Sequence, residues 1–195
     1  MSQILDLNSH SPIKGEKYFI DTNVWYWATY VASKTLKLPQ HPESYQLADY
    51  PAFLQKALDN DAILCHCPLT LAELANIIER TEFDLYKQSI SNEYFEKKEF
   101  RRIVGKRNSV LDEIKFAWES INTMSKCIDV KLDSNFAEQG RNILKEGTVD
   151  PFDAFYIQIM RNNEIDYIVT DDHDFSTIQK QILITSNQKA LRKLN

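Results

Sequence analysis

Four acids stand where chemistry could be done: Asp21, Glu73, Asp153 and Asp172. Each lies beside a short apolar run. Asp21 ends Lys17-Tyr-Phe-Ile20, and Glu73 comes shortly after Ala62-Ile-Leu-Cys-His-Cys67. Asp153 closes Asp150-Pro-Phe-Asp153, ahead of Tyr167-Ile-Val-Thr170, and Asp172 follows that run. Two carboxylates ~4 Å apart repel by roughly 4 kcal/mol at an effective dielectric near 20. Such a group would hold protons unless a hard cation such as Mg²⁺ or Mn²⁺ offset the repulsion. A divalent ion held by carboxylates and waters suits phosphodiester hydrolysis, because it acidifies a water and stabilises the leaving oxygen.

Taken singly, every one of these acids also has a structural reading. Thr70-Leu-Ala-Glu73 has the form of a capping box, with Glu73 satisfying a backbone donor. Asp150 suits a helix cap with Pro151 at the first helical position and Asp153 near the positive helix end. Asp21-Thr-Asn23 could cap a helix, and Asp171 to Asp174 could form a solvated turn.

The surrounding pattern decides where the acids stand. Lys17–Ile20, Ala62–Cys67, Tyr167–Thr170 and Ile182–Thr185 read as short buried strands, and Cys127–Leu132 as another. Between them, apolar residues recur at helical spacing: Phe53, Leu54, Ala57 and Leu58; Leu71, Leu74, Ala75 and Ile78; Val110, Ile114, Ala117 and Ile121. Phe136, Gly140 and Ile143 mark a helix that stops by Gly147, Phe152 to Ile159 mark another, and a short one follows Ser186. Strands alternating with amphipathic helices predict an α/β fold, with a parallel sheet covered on both faces. Ligands in such sheets sit beyond the carboxyl ends of the strands, and all four acids fall on that rim. Ser33 to Pro51, with Pro39, Pro42 and Pro51, reads as a loop or insertion.

The 195 residues suit one domain, 1–195, with insertions near 33–50 and 81–108. No apolar stretch is long enough to cross a bilayer, and Met1 to Lys17 lacks the organisation of a secretory signal. Three cysteines suit a reducing compartment, so a cytoplasmic location is expected. A net charge of −5 leaves a nucleic-acid partner open, since a cation site needs acids and basic residues can be gathered elsewhere.

The motifs resemble those of PIN domains. Phe19-Ile-Asp-Thr-Asn-Val24 looks like the opening motif, and Thr70-Leu-Ala-Glu-Leu74 resembles the second. Asp153-Ala-Phe-Tyr-Ile157 resembles the third, and Ile168-Val-Thr-Asp-Asp-His-Asp-Phe175 is similar to the closing one. The resemblance implies a three-layer sandwich and an acidic pocket for Mg²⁺ or Mn²⁺. Asp21, Glu73 and Asp153 would be the core ligands and Asp172 the fourth acid, with Asn23 and Thr170 bracing them by hydrogen bonds. It further implies endonuclease activity on RNA, commonly as the VapC-like toxin of a bacterial toxin–antitoxin pair. RNA is then the expected substrate, with an antitoxin protein and a second copy of the chain as candidate partners and no membrane.

Lys97, Lys98, Arg101, Arg102, Lys106 and Arg107 form the densest basic run, and a helix would project Lys97/Arg101 and Lys98/Arg102 as a stripe suited to phosphates. The alternative is a solvated helix balanced by Glu93, Glu96 and Glu99. Trp25, Tyr26, Trp27 and Tyr30 could stack bases near Asp21, although core positions are expected for most of them. Cys65-His66-Cys67 is too tightly spaced for zinc, and Cys65 and Cys67 read as buried packing. His173 reads as a solvated turn residue. Asp172 to Asp174 is no EF-hand, lacking the glycine and carrying Leu183 where the last glutamate belongs.

Two rival functions fit parts of the pattern. A phosphatase of the haloacid-dehalogenase type also opens with a strand and Asp and has a late Asp-Asp pair, like Asp171-Asp172. It needs a second Asp where this chain has Asn23, and gives Glu73 no role. A non-catalytic RNA-binding module would keep the fold without needing four intact acids.

Overall fold

The computed structural model describes residues 3–34 and 42–192. Six strands form one sheet: β1 (Gln3–Asp6), β2 (Lys17–Ile20), β3 (Ile63–His66), β4 (Lys126–Cys127), β5 (Tyr167–Val169) and β6 (Ile182–Thr185). Their order is β1-β6-β5-β2-β3-β4, and every pairing is parallel. The helices are α1 (Thr22–Thr29), α2 (Ser44–Asp59), α3 (Pro68–Ile90), α4 (Lys97–Arg102) and α5 (Val104–Met124), then α6 (Ser134–Ile143), α7 (Pro151–Asn162) and α8 (Gln188–Leu191).

Strand alternation divides the core into two halves. Tyr18, Ile20, Leu64, Val169 and Ile184 pack with residues of α1, α2, α3 and α5. Phe19, Cys65, Ile168 and Leu183 point the other way, onto α6, α7 and α8. A sheet with both faces covered must be apolar on both, which explains why these strands read as continuous apolar runs. The result is the expected α/β three-layer sandwich.

Several local expectations need correction. Residues 35–41 of the expected 33–50 loop, with Pro39, lie outside the described residues. From Ser44 the chain is helix, not loop, and α2 runs straight through Pro51. Proline there removes the bond to the carbonyl four residues back, which belongs to Leu47, a residue 41% exposed. Tyr50, Phe53, Leu54 and Ala57 bury the opposite face, so packing holds the helix against the local penalty. The expected strand 127–132 shrinks to Lys126–Cys127, and β1 was not anticipated. The polar stretch after residue 81 continues α3 to Ile90, then forms α4 and the start of α5.

The aromatics of α1 and Tyr30 just after it are core: Trp25 and Tyr30 are 0% and 1% exposed, Tyr26 and Trp27 each 8%. None is placed to stack a base. Among the described residues, no helix is long and apolar enough to cross a membrane.

Candidate metal centre at the carboxyl rim of the sheet

β2 lies between β3 and β5, and the chain crosses back over it between β4 and β5. That reversal opens a crevice beyond the carboxyl ends of β2 and β5, where ligands of such sheets bind. The register Ile20↔Val169 places the next residues, Asp21 and Thr170, side by side, and the Asp21 N–H donates to the Val169 carbonyl at 3.1 Å. Thr170 Oγ1 then donates to Asp21 Oδ2 at 2.6 Å and accepts the Asp172 N–H at 2.9 Å. One hydroxyl thus fixes two of the acids. Asp21 precedes α1 but makes no side-chain capping bond, so its carboxylate is spent on the rim.

Glu73 arrives by a different route from the one its spacing suggested. α3 starts at Pro68, one turn ahead of a helix capped by Thr70, with Cys67 as the cap residue. Thr70 itself closes the box, its Oγ1 accepting the Cys67 N–H at 3.3 Å. Glu73 therefore stands beyond the capping turn. Its Oε2 accepts Thr22 Oγ1 at 2.5 Å and the Tyr156 hydroxyl at 2.6 Å, and those two oxygens lie 2.8 Å apart. Neither Thr22 nor Tyr156 was singled out from the sequence. The signal was available: Thr22 is the middle residue of Asp21-Thr-Asn23, and Tyr156 follows Asp153 by three, on the same helical face.

Asp150 caps α7, accepting the Phe152 and Asp153 N–H groups at 2.7 and 3.0 Å. Asp153 returns the favour weakly, its Oδ2 3.4 Å from the Asp150 nitrogen. The capping reading therefore holds for Asp150, and for Asp153 accounts for one oxygen. Asn23 is exposed and, among the described residues, makes no side-chain hydrogen bond to the acids; the bracing expected of it falls to Thr22.

The electrostatics follow from burial. Asp21 and Asp153 are 2% and 7% exposed, and among the described residues no Lys or Arg pairs with either. Burial, then the charge of Glu73, pushes the Asp21 carboxyl up to about 7, against the hydrogen bond from Thr170. Burial first, then the charges of Asp21, Asp150 and Asp172, raises Asp153 to about 9. Asp172 is also raised, chiefly by burial. These acids feel one another across one crevice, and among the described residues no Lys or Arg pairs with them, His173 being the charge that acts against the rise of Asp172. An all-oxygen donor set of this kind fits Mg²⁺ or Mn²⁺. Among the described residues, the group whose ligand atoms all lie within 4.8 Å of one another is Asp172, His173 and Asp174, which shares Asp172 with the set. Asp21, Glu73 and Asp153 do not form a group that tight among the described residues. His173 remains half exposed in that turn, lying 3.4 Å from Asp174 Oδ1 and 3.8 Å from Asp172 Oδ1.

Asp171 is turned away from this set. Its oxygens accept Gln46 Nε2 at 2.6 Å, the Tyr50 hydroxyl at 2.7 Å and the Tyr45 hydroxyl at 3.0 Å.

The basic run is gathered around a partner the sequence did not suggest. Glu79 of α3, 6% exposed, binds Arg101 through two bonds of 2.6 and 2.7 Å, Lys97 at 3.0 Å and Arg107 at 3.3 Å. Glu93, Glu96 and Glu99 are not the counter-charges; Glu99 instead accepts the Glu96 N–H at the start of α4. One carboxylate against three cations leaves an excess of positive charge. Lys98 and Arg102 are exposed, and Lys106 lies over the Tyr86 ring at 5.1 Å.

The family model of the PIN domain matches residues 48–181. That span contains Glu73, Asp153 and Asp172, and begins after Asp21. Among curated proteins none matches the chain. A solved structure that resembles it is the crystal structure of PAE2754 from Pyrobaculum aerophilum, 14% identical with a TM-score of 0.44. The superposition covers 96% of this chain and 94% of that one.

Proposed function

The chain belongs to the PIN-domain family, and from that premise we propose that it is a divalent-metal-dependent endoribonuclease acting through Asp21, Glu73, Asp153 and Asp172. The observation that carries the reading is the bracing of buried Asp21 and half-buried Glu73 by hydroxyls instead of cations. Thr170 holds Asp21, while Thr22 and Tyr156 hold Glu73. Donors without charge orient a carboxylate and leave its charge uncompensated; at Asp21 that charge meets those of Glu73 and Asp172, an arrangement a cation would relieve.

When bound, Mg²⁺ or Mn²⁺ supplies Lewis acidity for hydrolysis of a phosphodiester. The protein's part is orientation. Asp21 and Glu73 would hold the ion from positions fixed by Thr170, Thr22 and Tyr156, and Asp153 would join them from the first turn of α7. Asp172 closes the set while its own oxygen accepts the Asp174 N–H at 2.8 Å. The cationic excess around Glu79, with Lys98 and Arg102, offers RNA phosphates a landing surface. One PIN-like unit over 1–195, with additions near 33–50 and 81–108, accommodates both parts.

The sequestration of Asp171 by Tyr45, Gln46 and Tyr50 supports the nuclease over the phosphatase, which would need the Asp171-Asp172 pair free. The test is cleavage of single-stranded RNA in Mn²⁺ or Mg²⁺. Asp21→Asn and Asp153→Asn should abolish it and leave the circular-dichroism spectrum unchanged. RNA binding without cleavage in the wild type would establish the non-catalytic module instead. The finer toxin reading predicts growth arrest on expression, relieved by a co-expressed antitoxin encoded beside the gene.

A further inference from the structure

α7 runs against the strands. It ends at Asn162 and the chain then turns back into β5, so the first turn of α7 lies at the carboxyl rim. Residues four apart along a helix stand one above another on the same face, and Phe152, Tyr156 and Met160 form such a row. Met160 and Tyr156 are fully buried, while Phe152 is 38% exposed. The row therefore leaves the core at its rim end.

The Tyr156 ring packs on Phe19 of β2, their centroids 5.2 Å apart. From that contact, one turn back along α7 advances about 5.4 Å to Phe152. Two residues onward along β2 advance about 6.6 Å to Asp21. Both steps run towards the rim, so Phe152 stands level with Asp21. It also adjoins Asp153, whose carboxyl feels the charges of Asp21 and Asp172. Side chains of a helix lean towards its amino end, which here is the crevice.

A single exposed phenylalanine is ordinary; the place of this one is not. The exposed aromatics among the described residues are Tyr94, Phe116 and Phe152, and only Phe152 adjoins one of the four acids. Nothing local calls for a ring there. The cap of α7 uses the Phe152 N–H, which donates to Asp150 at 2.7 Å whatever side chain follows. Phe155, three residues on, stacks on Phe136 at 5.1 Å, whereas Phe152 has no ring partner among the described residues.

In RNA each base hangs one ribose from its phosphate, so a phosphate at the acids brings a base to this ring. Stacking on an aromatic side chain accepts any unpaired base, and a base inside a duplex is not splayed out to receive it. We propose that Phe152 is a base-stacking residue, which holds the unpaired base beside the scissile phosphate and so selects single-stranded RNA without reading base edges. The inference rests on the nuclease reading and adds to it a substrate contact that no acid makes.

The test uses a single-stranded RNA oligomer that the wild type cuts at a mapped bond in Mn²⁺. Phe152→Ala and Phe152→Leu should lower kcat/KM by about 5–150-fold, the range for loss of one stacked base. Phe152→Trp should keep most of the activity. Mn²⁺ affinity and Tm should match the wild type in all three, because the position is exposed and the cap is intact. An abasic residue on one side of the mapped bond, and not on the other, should slow the wild type by a similar factor. On that substrate the wild type and Phe152→Ala should cut alike. Phe152→Leu as fast as the wild type would overturn the stacking contact, as would a Phe152→Ala defect that persists with the abasic residue on either side. A lowered Mn²⁺ affinity in Phe152→Ala would overturn it too, by assigning the loss to Asp153. A wild type that cuts no RNA overturns the nuclease reading, and this inference falls with it.

Discussion

Thr170 and Asp21, 149 positions apart, share a 2.6 Å hydrogen bond because β5 and β2 pair in a register that sets them abreast. The same hydroxyl accepts the Asp172 N–H at 2.9 Å, so the acid that ends β2 and the loop that follows β5 move together. Thr170→Val keeps the shape and removes both bonds. The expected result is a folded protein whose RNA cleavage rate and Mn²⁺ affinity fall by about 10–100-fold. Thr170→Ser should restore most of both. Titration calorimetry with Mn²⁺ beside cleavage kinetics checks this, and an unchanged Mn²⁺ affinity in Thr170→Val would count against it.

Asp171 predicts a purely structural effect one residue away. Three side chains of α2 converge on it, and Tyr50 also contacts Thr185 Oγ1 at 3.0 Å and the Ser186 N–H at 3.2 Å. Asp171→Asn keeps the shape but weakens the charge-assisted bonds, so unfolding free energy should drop by about 1.5–3 kcal/mol. Denaturant titration reads this directly. Cleavage under conditions where the variant is folded should stay within about threefold of wild type, since a direct ligand would lose far more.

Pro51 and Asp171 together show what the sequence could and could not reveal. The four inner strands were legible because both faces of the sheet are covered, which forces runs such as Tyr18-Phe-Ile20; the edge strands β1 and β4 were missed or misjudged in length. The start of α7 was legible because its cap chemistry is local: Asp150, Pro151 and Asp153 within four residues. The helix through Pro51 was not, since what holds it includes a carboxylate 121 residues away. Glu73 shows the same limit. Thr70-Leu-Ala-Glu73 looks like a cap at short range, and only the helix start at Pro68 shows that it is not. The acids themselves were legible by type and order. Their supports, Thr22 and Tyr156, depend on how α1, α3 and α7 meet.

The metal-free protein should lose stability as pH rises. Asp21 and Asp153 start from an ordinary value of 3.8 and are raised to about 7 and about 9 in the fold. The folded state then binds more protons than the unfolded one. The stability they permit is full below the unfolded value and declines as pH climbs through the folded ones. In EDTA, the Tm should fall between about pH 5 and about pH 9, and Asp153→Asn should flatten that decline. Mn²⁺ at about pH 8 should raise the Tm of the wild type and not that of Asp153→Asn. A flat profile in EDTA would remove the electrostatic argument for a cation here.

RNA affinity should report the exposed arm of the basic run. Lys98 and Arg102 face solvent without an acid partner among the described residues. If each meets one phosphate, Lys98→Ala/Arg102→Ala should reduce the slope of log K against log salt by about 1.4, at roughly 0.7 per contact for single strands. Filter binding of RNA to the Asp153→Asn protein at several salt concentrations measures it. An unaltered slope would place the RNA on another face.

Glu79 carries the opposite pH signature from the acids of the rim. Hydrogen bonds from Arg101 first, against burial and with help from Lys97, hold it down at about 2 from an ordinary 4.5. A depressed carboxyl contributes stability that is present above its unfolded value and lost as pH falls through the folded one. Glu79→Gln should therefore be less stable than the wild type at neutral pH, because Lys97, Arg101 and Arg107 lose the carboxylate that gathers them. The gap should close as pH falls from about 4.5 towards about 2, where the wild-type carboxylate is protonated as well. Urea unfolding of both proteins across that range tests the sign: a gap that widens in acid would mean that Glu79 is not the anion that fastens α4 to α3.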